Sequence, residues 1–126
     1  MLFSGTANRE LAQEVSKLLD VELGGVEIST FANTETYVRY EESVRGADCF
    51  VIQSHSRPIN ENIMEQLIMI DALKRASAKR ITAVMPFYGY ARQDKKGRPR
   101  EPITAKLIGD LFMAAGAYRI AAVDLH

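Results

Sequence analysis

Three short segments carry side chains able to do chemistry. The first runs Tyr90-Ala91-Arg92-Gln93-Asp94-Lys95-Lys96-Gly97-Arg98-Pro99-Arg100-Glu101. Its residues 92–101 hold five cations and two anions, a local net charge of +3. Guanidinium forks and ammonium groups suit phosphate oxygens. The same composition also describes a solvated basic loop. The second is Val123-Asp124-Leu125-His126. An acid and an imidazole at a strand end can hold a divalent cation, directly or through water. Equally, the aspartate can cap a turn beside an ordinary histidine. The third is Thr30-Phe31-Ala32-Asn33-Thr34-Glu35-Thr36. Phe31 can stack on a flat base, while Asn33 and Glu35 read its hydrogen-bonding edge. The alternative is a polar hairpin tip with Phe31 as its buried anchor.

The elements that must position these segments follow from periodicity. Leu2-Phe3-Ser4 reads as a strand. Leu11, Val15, Leu18 and Leu19 recur at helical spacing, with Thr6 or Asn8 as the cap. Residues 26–30 alternate, as do residues 36–40, which predicts a hairpin across Phe31–Glu35. Cys49-Phe50-Val51-Ile52 is a continuous apolar run of the buried parallel type. Asn60 is the expected N-cap of a helix over residues 61–78. Ile63, Met64, Leu67, Ile68, Ile70 and Leu73 give that helix a broad apolar stripe, core or subunit interface. Residues 81–85 form a strand closed by Pro86. Thr104 is expected to cap a helix to Ala115 that stops at Gly116, and residues 120–125 form the last strand. The order is β-α-β-β-β-α-β-α-β. Alternating strands and helices imply right-handed crossovers and a mainly parallel sheet, expected to have five strands with a small hairpin projecting. The basic segment and Asp124–His126 then fall at the carboxyl edge of the sheet, where such folds take ligands and helix N-termini favour anions.

Composition narrows the function classes. The 126 residues suit one domain, with 16 Lys and Arg against 16 Asp and Glu. A formal net charge of 0 gives no case for nucleic-acid or membrane binding. Cys49 stands alone, so no internal disulfide or cysteine zinc cage forms, and a reducing cytosol fits. His55 and His126 are too few for a multi-histidine metal site. No long apolar run or basic leader appears, and a soluble cytoplasmic protein is expected. Neither Gly-x-x-x-x-Gly-Lys-Ser/Thr nor Gly-x-Gly-x-x-Gly occurs, so any nucleotide must use the basic loop. The acid-acid-x-x-x-x-Gly-Gly-Thr loop of a PRPP-consuming phosphoribosyltransferase is also missing, as is a nucleophile-elbow pattern.

Taken together the segments resemble one family, the ribose-phosphate diphosphokinases or PRPP synthetases. The resemblance runs through Phe3-Ser4-Gly5, Asn8 to Ala12, Glu42 to Gly46 and Leu67 to Ala78. It is strongest in Tyr88 to Lys96, Arg100 to Leu107 and Asp124-Leu125-His126, and the actinobacterial members look most similar. It implies an α/β domain of phosphoribosyltransferase type, residues 1–126 matching the N-terminal of two such domains, with the C-terminal one absent. It implies transfer of diphosphate from ATP to the C1 hydroxyl of ribose 5-phosphate, giving PRPP and AMP, with Mg2+ required. ATP would meet Arg92, Gln93 and His126, with His126 also serving the metal. Phe31, Asn33 and Glu35 would hold adenine in a neighbouring subunit's site. Ser43, Arg45, Ser77 and Arg100 match positions lining a regulatory phosphate/ADP site, and the assembly is typically a hexamer. Asn33-Thr34 departs from the Asp-Gly of many members. The family's ribose 5-phosphate loop and catalytic flexible loop lie in the other half. This half is therefore expected to carry no catalytic residue of its own and to be inactive alone. The rival expectation is a non-catalytic regulatory or oligomerisation module.

Overall fold

The computed structural model describes all of residues 1–126. The chain order is β1 (Leu2–Ser4), α1 (Arg9–Leu19), β2 (Val26–Thr30), β3 (Thr36–Tyr40), β4 (Asp48–Ile52), α2 (Ile59–Arg75), β5 (Arg80–Met85), α3 (Thr104–Ala115) and β6 (Arg119–Ala122). This is the order that periodicity predicts.

The main sheet has four strands, β1-β4-β5-β6, every neighbouring pair parallel. The expected fifth strand is not in it. β2 and β3 pair only with each other, from Val26 opposite Tyr40 to Thr30 opposite Thr36. Their alternating, half-exposed pattern covers only one face, so the hairpin lies on α2 and does not enter the ladder. Tyr40 fixes it there: the ring meets Phe3 edge-on at 4.7 Å, and the hydroxyl donates to the Met69 carbonyl at 3.1 Å.

Alternation along the strands divides the core. Phe3, Val51, Ala83 and Met85 face α2 and α3 and pack with Met69, Ile70, Leu73 and Phe112. Leu2 and Ile52 point the other way, to Ala12 of α1. On that second face an apolar groove of about 560 Å3 runs between α1 and Phe50, Val84 and Val123.

Helix ends differ in detail from expectation. Asn8 caps α1, accepting from the Leu11 N–H at 3.1 Å. Thr6 is used elsewhere, as described below. Asn60 does not cap α2: the helix begins at Ile59 after Pro58, with no side-chain cap, and the Asn60 amide oxygen accepts from the Tyr90 hydroxyl. The helix also stops at Arg75, where Ala76, Ser77 and Ala78 N–H groups turn back onto Ala72, Lys74 and Leu73 carbonyls. The expected apolar stripe is buried at Ile63, Ile70 and Leu73, but Met64 is exposed and Asn62, Glu65 and Gln66 are buried in its place. Thr104 is the first residue of α3 and not its cap, which is Ile103, while Gly116 ends the helix at φ 124° as expected. β6 stops at Ala122, beyond which the Val123 N–H still donates to the Met85 carbonyl of β5 at 3.4 Å and Asp124–His126 leave the ladder.

Candidate functional site

Because all four sheet strands run the same way, the segments after β1, β4, β5 and β6 emerge along one edge. The longest is the connection from Pro86 to Ile103 between β5 and α3. It is shaped by its own backbone. Gln93 N–H donates to the Tyr90 carbonyl at 2.9 Å, and Ala105 N–H donates to the Gln93 carbonyl at 3.0 Å, which ties the loop to the first turn of α3. Tyr90 and Arg100 take positive φ, 66° and 67°, where the path reverses.

Both anions of the loop are engaged internally. Glu101 accepts from the N–H groups of Gly97 and Arg98, each at 2.9 Å. Asp94 Oδ2 lies 3.0 Å from Nδ1 of His126. A carboxylate only accepts, so the imidazole donates through Nδ1 and leaves Nε2 outward. That hydrogen bond holds the Asp94 carboxyl below the usual carboxylate range. None of the five cations, Arg92, Lys95, Lys96, Arg98 and Arg100, takes part in any of the ion pairs of the chain, and all are exposed. Arg92, Gln93, Val123, Asp124 and His126 open on one cleft of about 800 Å3, floored by Ile59 and Phe87. The sequence placed the basic loop and the strand end on one edge, and the structure brings them into contact through Asp94, a residue to which sequence reading gave no role.

The hairpin tip is a different construction. Phe31 N–H donates to the Glu35 carbonyl and Thr34 N–H to the Phe31 carbonyl, each at 2.8 Å. Asn33 Oδ1 accepts from the Glu35 N–H at 3.1 Å. Thr34 sits at φ 76°. Phe31 is 55% exposed and meets the Tyr37 ring edge-on, ring centres 5.8 Å apart, so it is not a buried anchor. Phe31, Asn33 and Glu35 do not line the Arg92 cleft. Glu35 faces instead a shallow cleft of about 460 Å3 above Asn60, Glu61 and Met64 of α2.

Ser43, Arg45 and Ser77 lie together at the opposite, amino edge of the sheet. There Gly46 N–H donates to the Ser77 carbonyl at 2.9 Å, joining the two loops. Ser77 and Gly46 both take positive φ, 67° and 71°. Arg100, in the loop after β5, is at the carboxyl edge, so one chain does not gather these four residues.

Sequence reading missed a buried polar layer beneath the carboxyl edge. Glu65 of α2 accepts from Thr6 N–H at 3.0 Å, from Thr6 Oγ1 at 2.7 Å and from the Gln53 amide. Gln53 Oε1 accepts in turn from the Ala7 N–H at 3.1 Å. A second set joins His55 and Gln66. The available signal was polar residues at core positions: Gln53 and His55 directly after an apolar strand, and Glu65 and Gln66 within an apolar helix face.

Fold and cleft define a class: a parallel α/β domain with an open cleft, lined by Arg92, Asp124 and His126, at the carboxyl ends of its strands. The chain belongs to the family described as the N-terminal domain of ribose phosphate pyrophosphokinase, whose family model matches residues 1–116. Ribose-phosphate pyrophosphokinases of Corynebacterium glutamicum and Streptomyces coelicolor are each 66% identical over all 126 residues, which make up 39% of those proteins. The enzyme of that name from Mycobacterium tuberculosis is 64% identical over the same span. The crystal structure of phosphoribosylpyrophosphate synthetase from Mycobacterium smegmatis superposes with a TM-score of 0.98 at 63% identity, covering all of this chain and 42% of that one. The chain thus spans about two fifths of the length of the relatives it matches.

Proposed function

We propose that residues 1–126 are the ATP-binding N-terminal domain of a ribose-phosphate diphosphokinase, a transferase of nucleotide biosynthesis. The longer polypeptide moves the β,γ-diphosphate of ATP onto the C1 hydroxyl of ribose 5-phosphate and releases AMP. One observation carries this reading: Arg92, without an ion-pair partner, shares a cleft with His126 at the sheet's carboxyl edge, in a loop with four further exposed cations and in a chain that matches proteins of that name along its full length.

In this reading the Arg92 guanidinium holds phosphate oxygens, and Gln93, its backbone fixed to α3, contacts the same nucleotide. Negative charge builds on phosphate oxygens during diphosphate transfer, so preplaced cations lower the barrier by positioning and electrostatic stabilisation. No group of three or more His, Cys, Asp or Glu converges in the chain. The residues therefore fit a magnesium ion that arrives with the nucleotide's own oxygens, and not a free-standing metal cage. His126 would hold it through Nε2, the nitrogen that Asp94 leaves open. When bound, Mg2+ neutralises charge on the polyphosphate.

Phe31, Asn33 and Glu35 hold adenine in the site of a neighbouring subunit. Their exposure, and their separation from the Arg92 cleft, support this. Ser43, Arg45 and Ser77 of one subunit combine with Arg100 of another in a phosphate/ADP regulatory site. Their location on opposite edges of one chain supports that arrangement, which needs at least two copies of the chain and is met in the expected hexamer. Cys49 is free and buried, which suits a reducing cytoplasm.

The assay is AMP formation from ATP, Mg2+ and ribose 5-phosphate. The full-length protein makes AMP only when ribose 5-phosphate is present, and the isolated chain makes none. Sustained ribose-dependent AMP formation by the isolated chain would refute the division of the site between two halves. The chain's span of two fifths favours, as a second reading, a regulatory or oligomerisation module. A full-length protein silent in the same assay selects that reading.

A further inference from the structure

A histidine is buried at the carboxyl end of β4, outside the cleft. His55 has no exposed surface. Its own N–H donates to the Phe87 carbonyl at 2.9 Å, and its Nδ1 accepts the Gly89 N–H at 2.9 Å. Its Nε2 lies 2.8 Å from Oε1 of Gln66. Acceptance at Nδ1 leaves the ring proton on Nε2, which donates to Gln66. Gln66, also without exposed surface, donates through its amide to the carbonyls of Val51 at 3.0 Å and Val84 at 3.3 Å. The imidazole stacks on Phe112 of α3, ring centres 5.7 Å apart and planes 21° apart. A Cβ on Gly89 would lie 3.0 Å from the His55 Cβ, so the loop passes directly against this histidine.

A continuous run of buried hydrogen bonds thus leads from two central strands, through Gln66 and His55, to the Gly89 N–H. Arg92 follows three residues later. We propose that His55, oriented by Gln66, is a positioning residue that sets the path of the basic loop, so that Arg92 and Gln93 stand preformed for a polyphosphate. The inference rests on the reading that this loop meets ATP. A loop fixed before the ligand arrives loses less freedom on binding, and the gain appears as affinity for the ligand that the loop contacts. It does not extend to a second substrate held elsewhere.

Three variants of the full-length protein separate the two ring nitrogens. His55→Asn places an oxygen near the position of Nδ1 and keeps an acceptor for Gly89. His55→Gln reaches toward Gln66 but leaves Gly89 without one. His55→Phe keeps only the ring. The KM for ATP rises about tenfold in His55→Gln and His55→Phe, and stays within about twofold in His55→Asn, as expected for one buried donor left unpaired. The KM for ribose 5-phosphate is unchanged in all three. Equal ATP KM values across the three variants, or losses that simply follow melting temperature, overturn the proposal. Nitrogen-15 NMR of the unsubstituted protein tests the same point without any variant: Nδ1 is unprotonated and coupled to the Gly89 amide. A proton on Nδ1 overturns it. The underlying reading fails separately: Arg92→Ala with unchanged ATP dependence removes the ATP assignment, whereas a normal Arg92→Ala loss with indistinguishable His55 variants removes only the positioning role.

Discussion

The basic loop and the hairpin tip are both exposed, polar turns, yet they are held in opposite ways. Beside the local bonds of Gln93 to Tyr90 and of Gly97 and Arg98 to Glu101, the loop has bonds that cross long stretches of sequence: Gly89 to His55, Asp94 to His126 and Tyr90 to Asn60 join residues 34, 32 and 30 positions apart. Tip bonds stay within Phe31–Glu35, as when Asn33 accepts from Glu35 two residues on. One region is built by the whole domain, and the other folds itself on a two-stranded stalk. Changes at the tip should therefore alter only what the tip touches, whereas changes beneath the loop should travel to it.

The largest effect that tests this contrast is at Arg92. In the full-length protein Arg92→Ala should reduce kcat/KM for ATP by roughly 10- to 150-fold, the loss of one charge-assisted phosphate contact of about 1.5–3 kcal/mol. The melting temperature should not change, because the side chain is exposed and has no ion-pair partner. An unchanged kcat/KM for ATP breaks the assignment.

Next comes Phe31→Ala. Stacking on a base is worth roughly 1–3 kcal/mol, so ATP affinity should fall while affinity for tripolyphosphate holds. With Phe31 half exposed, the melting temperature should stay nearly constant; a fall of many degrees would return the residue to an anchoring role. Mixing Phe31→Ala subunits with Arg92→Ala subunits sharpens the test, since some composite sites then regain both groups. Absence of recovered activity after proven subunit exchange would place both residues in one subunit's site.

A smaller effect concerns pH. Burial pushes the His55 imidazole below its ordinary value of 6.5, partly offset by its bond to Gln66. The folded state then binds fewer protons than the unfolded one, so stability is fully present above about pH 6.5 and declines as pH falls. The neighbours Gln66, Tyr88 and Phe112 offer no negative charge to oppose this. Melting temperatures measured between pH 8 and 5 should show the decline, and His55→Asn should flatten it.

The smallest effect returns to the tip. Thr34 is β-branched at φ 76°, a conformation that suits glycine. Thr34→Gly should stabilise the protein by up to about 1 kcal/mol, read as a slight rise in melting temperature. A fall would mean that the threonine side chain makes a contact worth more than the backbone strain.

Sequence periodicity made the element order legible because each strand and helix declares itself within a few residues. Leu2–Ser4, the 26–40 hairpin and the Gly116 stop need no knowledge of the rest of the chain. The hairpin pairing of β2 with β3 was legible, but the count of main-sheet strands was not: that neither hairpin strand extends the sheet reflects Tyr40 packing on Phe3 and bonding to Met69. Asn60 has the side chain of a cap but answers to Tyr90, 30 residues away. In the candidate site, the basic segment with Arg92 and the Asp124–His126 strand end stood out by charge and chemistry, whereas Gln93 entered only through the family resemblance. Asp94 and His55 did not, because their roles arise only when distant strands set their ends side by side.

The loop's formal charge of +3 is presented by cations that its two carboxylates do not pair. Glu101 is turned onto the loop's own backbone and Asp94 onto His126. Its five cations are left facing water with nothing between them and an approaching anion. Such a surface acts before contact, drawing a polyanion inward from about a Debye length, roughly 8 Å at physiological salt. The rate of capture, as well as the strength of holding, then becomes a property of the loop, and added salt slows the encounter before it loosens the grip.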